Sequence, residues 1–182
     1  MKAIDILMHE HLIIERMLNV LSDFALKIEQ NKRVKPDQLR TCIDFIKTFA
    51  DACHHQKEEG ILFTEMEANG IPVNGGPIGV MLAEHVMGRN YTKEMAKAVD
   101  DYEKGLHGAD KRFVENARGY INLLSQHIAK ENNILYPMAE HILSGMDDRI
   151  VNKFEDIEKA LGKGVHEKYE SIIRQLEKES AY

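Results

Sequence analysis

The sequence predicts an all-α protein, an up-down-up-down four-helix bundle with an additional C-terminal helix. Three observations lead to that class. Apolar residues recur at three- and four-residue spacing through four long segments. Period-two alternation rich in β-branched residues, the mark of strands, is absent from the sequence. The breaks between segments are short and carry Pro, Gly, Asn and Asp, which suits antiparallel neighbours.

The first helix is expected from about Ile4 to Glu29, with a seam of Ile4, Leu7, Ile14, Leu18, Leu21, Ala25 and Ile28, interrupted by His11. NKRVKPD then forms a turn, with Pro36 in the first turn of a second helix over roughly 37–68. Ile43, Ile46, Ala50 and Ile61 share one face of that helix with His54. ANGIPVNGGPIG is the strongest break, and without GK[ST] or a preceding strand it reads as a turn, not a phosphate loop. A third helix follows over 77–103, with Ile78, Met81, His85, Thr92 and Val99 on its seam. After KGLHGAD, the fourth runs over 109–143 along Phe113, Ala117, Tyr120, Leu124, His127, Glu131, Ile134 and Met138. A last helical region, 147–180, is interrupted by GKG at 162–164. Residues 1–145 are thus expected to form the bundle, and 146–182 an extension packed on the same domain.

With 182 residues the chain is long enough for one real core, and 30% charged residues with four prolines argue against disorder. A net charge of −6 and the lack of any Lys/Arg run exclude a nucleic-acid or anionic-membrane partner from the reading. No apolar stretch approaches a membrane span, and no export signal is read at MKAIDILMHEH. Cys42 and Cys53 lie eleven apart on one expected helix, roughly 16 Å, too far for an internal disulfide. Two unpaired cysteines fit the reducing cytosol, so a cytoplasmic location is expected, with both thiols as packing residues.

The chemistry lies in a repeat. HHQKEEGILF at 54–63 returns 73 positions later as HIAKENNILY, with five of ten residues identical. Glu10-His11 on the first helix is matched by Glu84-His85 on the third, and the intervals His11–His54 and His85–His127 are 43 and 42 residues. Each half is therefore a hairpin carrying Glu-His and then His-x-x-x-Glu. Residues four apart share a helix face, so His54 with Glu58, and His127 with Glu131, can point into one cavity. Adding His11 and His85 brings four imidazoles and two carboxylates to the bundle axis. Two buried glutamates are costly without a cation. No thiolate belongs to the set, and imidazole with carboxylate suits iron, manganese or zinc.

These residues, EH at 10–11, HHQKEEGILF, GGPIGVMLAEH and HIAKENNILYP, resemble the hemerythrin-like (HHE cation-binding) family over roughly residues 1–145. The resemblance implies a four-helix bundle holding two iron ions, a di-iron pair with an oxo or hydroxo bridge. By motif it assigns His11, His54, Glu58, His85, His127 and Glu131 as ligands. The implied ligand is small, O2, peroxide or nitric oxide. The roles range from an oxidoreductase of peroxidase or NO-reductase type, fed by an external electron donor, to a non-catalytic sensor or an iron store or donor. Oxygen carriers of the family place a second His four residues after the third-helix His; here that position is Arg89. The site looks one imidazole short, with His55, then Tyr91, as substitutes.

The remaining residues have plainer expectations. His55 and Glu59 share a side with Asp44, Thr48 and Asp51, so a solvated face is the default. The alternative is that His55 completes the metal site, or that Glu59 orients a ligand. Glu10 and Glu84 are expected at the surface, His9, His107 and His166 exposed, His141 in core or bundle-end packing, and Tyr120 and Tyr136 in packing roles.

Overall fold

The structure, a computed structural model, describes residues 1–181. Among them there are six helical segments and no strand. We label them α1 (Lys2–Glu29), α2 (36–68), α3 (Pro77–Glu103), α4 (109–142), α5 (Asp147–Leu161) and α6 (Val165–Ser180). Pro36 and Pro77 stand in the first turns of α2 and α3, where a missing N–H costs nothing. The GKG break falls between α5 and α6, with Gly162 at φ 116° and Gly164 at φ 78°, conformations that a side chain would strain.

Helices α1 to α4 close a ring in which each packs on the next and α4 returns to α1. The α5–α6 pair lies over α1 and α2. Two apolar clusters fill the interior. One joins Phe24, Phe45, Phe49, Phe113 and Tyr120 to Tyr169 and Ile173 of α6. The other joins Leu7, Leu62, Phe63, Met66 and Tyr136 to Ile150 and Phe154 of α5. The polar residues of the repeat lie along the chain between the two clusters. No described helix is long and apolar enough to cross a membrane.

Both α2 and α4 are locally widened. Phe63 donates its N–H to Glu58 O and Tyr136 to Glu131 O, five residues back instead of four. A third i→i+5 bond, Gln56 N–H to Asp51 O, closes a wider stretch over Ile46–His55. Such turns admit one extra residue per repeat and occur often at functional sites. In α4 a cause is visible in sequence: Pro137 has no N–H to give residue 133. In α2 the turn holds Gly60, which weakens a regular helix.

The widening corrects the expected seam. An uninterrupted 3.6 period after Glu131 puts Ile134 and Met138 inside. Ile134 is instead 56% exposed, and Leu135, Tyr136 and Ala139 are buried.

Candidate metal centre

The four helices bring the six motif residues together, all buried. Their donor atoms fall into two clusters that share Glu58. The first holds His11, His54, Glu58 and Glu131; the second holds His55, Glu58, His85 and His127. Glu131 Oε2 lies 3.2 Å from His11 Nε2 and Oε1 lies 3.2 Å from His127 Nε2, so this carboxylate spans both clusters. Glu58 Oε2 does the same, 3.6 Å from His54 Nε2 and 3.5 Å from His85 Nε2.

His55 therefore does not lie on a solvated face. It is 5% exposed, and its ring stacks on His85 at 3.9 Å. It follows His54 within the widened stretch of α2, where less rotation per residue lets neighbours face the same way. Tyr91, the other substitute, lies elsewhere: its ring closes on Gly119, where an added Cβ would come within 2.5 Å of it.

Each of the five imidazoles has its Nδ1 facing an oxygen acceptor. His11 faces Asn132 Oδ1 at 2.7 Å, His54 faces Glu10 Oε2 at 2.9 Å, and His55 faces Asp51 Oδ1 at 3.2 Å. His85 faces Glu59 Oε1 at 2.6 Å, and His127 faces Glu84 Oε2 at 2.9 Å. With Nδ1 donating, every Nε2 is left as an inward lone pair, the tautomer a metal ligand needs. The acceptors are held in turn: Lys57 pairs with Glu10, Lys130 with Glu84, and Arg89 bridges Asp51 and Glu59.

Glu10 and Glu84 thus overturn the expectation of surface roles; Glu10 is fully buried. Glu59 is half-buried against His85 and Arg89. His166, expected exposed, is only partly so, with Nε2 3.1 Å from Glu10 Oε1 and 3.2 Å from Glu158 Oε1. His9 and His107 are exposed as expected, and so is His141, which the expected packing role places in the core or at the bundle end.

Charge follows from this packing. Burial pushes His54 down to about 4, and burial with His85 alongside pushes His55 down to about 3. Both rings are therefore neutral. Burial and the neighbouring Glu131 raise Glu58 well above the carboxylate range. Burial would raise Glu131 too, but His127 and His11 hold it well below that range. The Cys53 thiol, Glu10 and Glu158 together push His166 up to about 11.

The donor set fits a pair of cations. His85 Nε2 and His127 Nε2 face each other at 2.9 Å, and each ring has its Nδ1 on a carboxylate oxygen. With both Nδ1 atoms donating, the two Nε2 atoms would be free to hold one ion between them. His55 Nε2, Glu58 Oε2 and both oxygens of Glu131 are buried without any hydrogen-bond partner. Among the described residues no Lys or Arg reaches Glu58 or Glu131. Buried orphan acceptors of this kind need an explanation, and a cation supplies one.

A family model described as the hemerythrin HHE cation-binding domain matches residues 2–139. Uncharacterised proteins of Mycobacterium bovis and Mycobacterium tuberculosis are 22% identical over 177 residues, covering 86% of this chain and 69% of theirs. No solved structure matches. The family and the two His/Glu clusters together make this a metal-binding protein.

Proposed function

Because the chain belongs to the hemerythrin HHE cation-binding family, we propose that it is a cytoplasmic non-haem di-iron protein that binds or reduces O2, peroxide or nitric oxide. The observation that carries this reading is the pair of buried carboxylates, Glu58 and Glu131, set between two imidazole clusters with no Lys or Arg reaching either among the described residues. Five imidazoles and two carboxylates are borderline to hard donors and suit iron, with manganese or zinc as alternatives. A bound iron pair supplies electrons and a coordination position to such a ligand.

The chain's own residues do the rest. The Nδ1 acceptors fix each ring before metal arrives, so little reorganisation remains. The apolar clusters on either side keep bulk water from the centre. A cavity of about 400 Å³ has His55, Gly88, Arg89 and Tyr120 in its wall, which gives a small molecule a way to the second cluster. Turnover draws electrons from an external donor.

One observation favours a sensor instead. His166 and Glu158, on the C-terminal helices, both reach the Glu10–Lys57 pair behind His54, so a change at the centre has a route to the surface.

The test is anaerobic iron(II) loading with metal analysis, followed by peroxide or nitric oxide with a reductant present. Two irons per chain and consumption beyond two equivalents support the reductase. Stoichiometric binding without turnover supports the sensor. Fewer than two irons per chain overturns the dinuclear reading.

A further inference from the structure

We infer that Tyr136 is a protein ligand of the first cluster, its phenolate oxygen supplying the donor that the duplicated motif leaves out. The inference rests on the dinuclear reading above. The second cluster has three imidazoles, His55, His85 and His127, whereas the first has only His11 and His54. Tyr136 Oη stands at the poorer cluster, 2.6 Å from Glu58 Oε1 and 3.2 Å from His11 Nε2. Its ring lies parallel to His11, centroids 5.3 Å apart and planes 10° apart.

The repeat itself supplies a control. The residue 73 positions earlier is Phe63, stacked on His85 at 6.1 Å with no oxygen to offer. Packing at this place is therefore met by a phenyl ring, and the hydroxyl of Tyr136 is an addition. A second difference in donors at the clusters is His55, whose counterpart 73 positions later is the buried Ile128. The two departures compensate crosswise: α2 gives an extra donor to the second cluster, and α4 gives one to the first.

The buried hydroxyl oxygen thus stands between an imidazole and a carboxylate of the first cluster, within reach of both. On coordination the phenol O–H bond would break, an oxygen–metal bond would form, and one proton would leave to solvent, as metal ligation generally requires. The rival role is a hydrogen-bond donor that only orients Glu58.

The experiment uses full-length protein loaded anaerobically with iron(II), oxidised with ferricyanide and desalted. The expected result is a visible tyrosinate-to-iron(III) charge-transfer band with phenolate ring modes in resonance Raman. The band falls to background in Tyr136→Phe, which still binds two irons, and persists in Tyr91→Phe and Tyr120→Phe. A di-ferric wild type without phenolate modes, or a band that survives in Tyr136→Phe, overturns the inference and leaves the di-iron reading standing. Should Tyr136→Phe fail to fold, the wild-type Raman spectrum decides: phenolate modes that persist in both control variants support the assignment, and their absence overturns it. Failure to bind two irons removes both readings together.

Discussion

The Glu10 carboxylate faces His54 Nδ1 at 2.9 Å while it grips the Lys57 ammonium, and neither Glu10 nor Lys57 has any exposed surface. Its counterpart Glu84 faces His127 at the same distance but pairs with Lys130, which is 36% exposed. Breaking a buried ion pair strands a charge, whereas breaking an exposed one costs little. Glu10→Gln is expected to destabilise the metal-free protein by about 3 kcal/mol, and Glu84→Gln by less than about 1 kcal/mol. Denaturant unfolding of the two variants side by side measures the difference.

His55→Gln removes the imidazole that the motif spacing does not announce. Loss of an outer hydrogen-bond partner costs roughly 10–100-fold in metal affinity, and a ligand costs more. Iron titration against a competing chelator should show one site weakened by over ~100-fold and the other nearly unchanged. Equal weakening of both sites would mean that His55 acts on the shared carboxylates instead.

Metal removal should lower stability through the same orphan acceptors. Each site filled at 100 times its dissociation constant adds about 2.7 kcal/mol. A melting curve with and without chelator checks this, and the shift should shrink in Glu131→Gln.

Phe154 of α5 is buried at the α1–α2 groove and lies 5.7 Å from Lys57 Nζ. Phe154→Ala should cost about 3–5 kcal/mol, while Leu106→Ala, at 52% exposure, should stay within about 0.5 kcal/mol. Thermal unfolding distinguishes them.

Burial pushes the Cys42 thiol up to about 12 from an ordinary 9.0. Below 9.0 both folded and unfolded chains keep this proton, so the group adds no pH dependence. Above 9.0 the unfolded chain ionises first, and native stability falls until about pH 12. Cys42→Ala should flatten that alkaline slope, and Cys42 should resist alkylation at pH 8 until the protein is unfolded.

The apolar spacing reveals the helices and the repeat reveals the six motif residues, because both depend on spacing within one helix face. Pairing across helices was harder to read. Glu10 looked like a surface residue since only packing turns it towards His54. The match of Glu10 with Glu84 alone does not tell surface from interior; the added match of Lys57 with Lys130 is the signal, since each lysine holds the glutamate behind an imidazole of the clusters. The solvated face taken as the default for His55, against its alternative place in the metal site, and the Ile134 seam fail for another reason. A 3.6 period cannot anticipate a widened turn, and Pro137 and Gly60 were the available hints. Tyr136 was masked by its own repeat, since an aromatic at the tenth position in both halves suggests packing alone.

The placement of α5 and α6 over α1 changes the standing of the first helix. In a plain four-helix bundle every helix keeps one side in water. Here half the residues of α1 are buried, against α2 and α4 on one side and the C-terminal pair on the other. Its interior amides can exchange hydrogen only when the molecule opens as a whole, whereas α3, bounded by two neighbours, is free to breathe on its own. The helix covered on both sides thus becomes the last to let go.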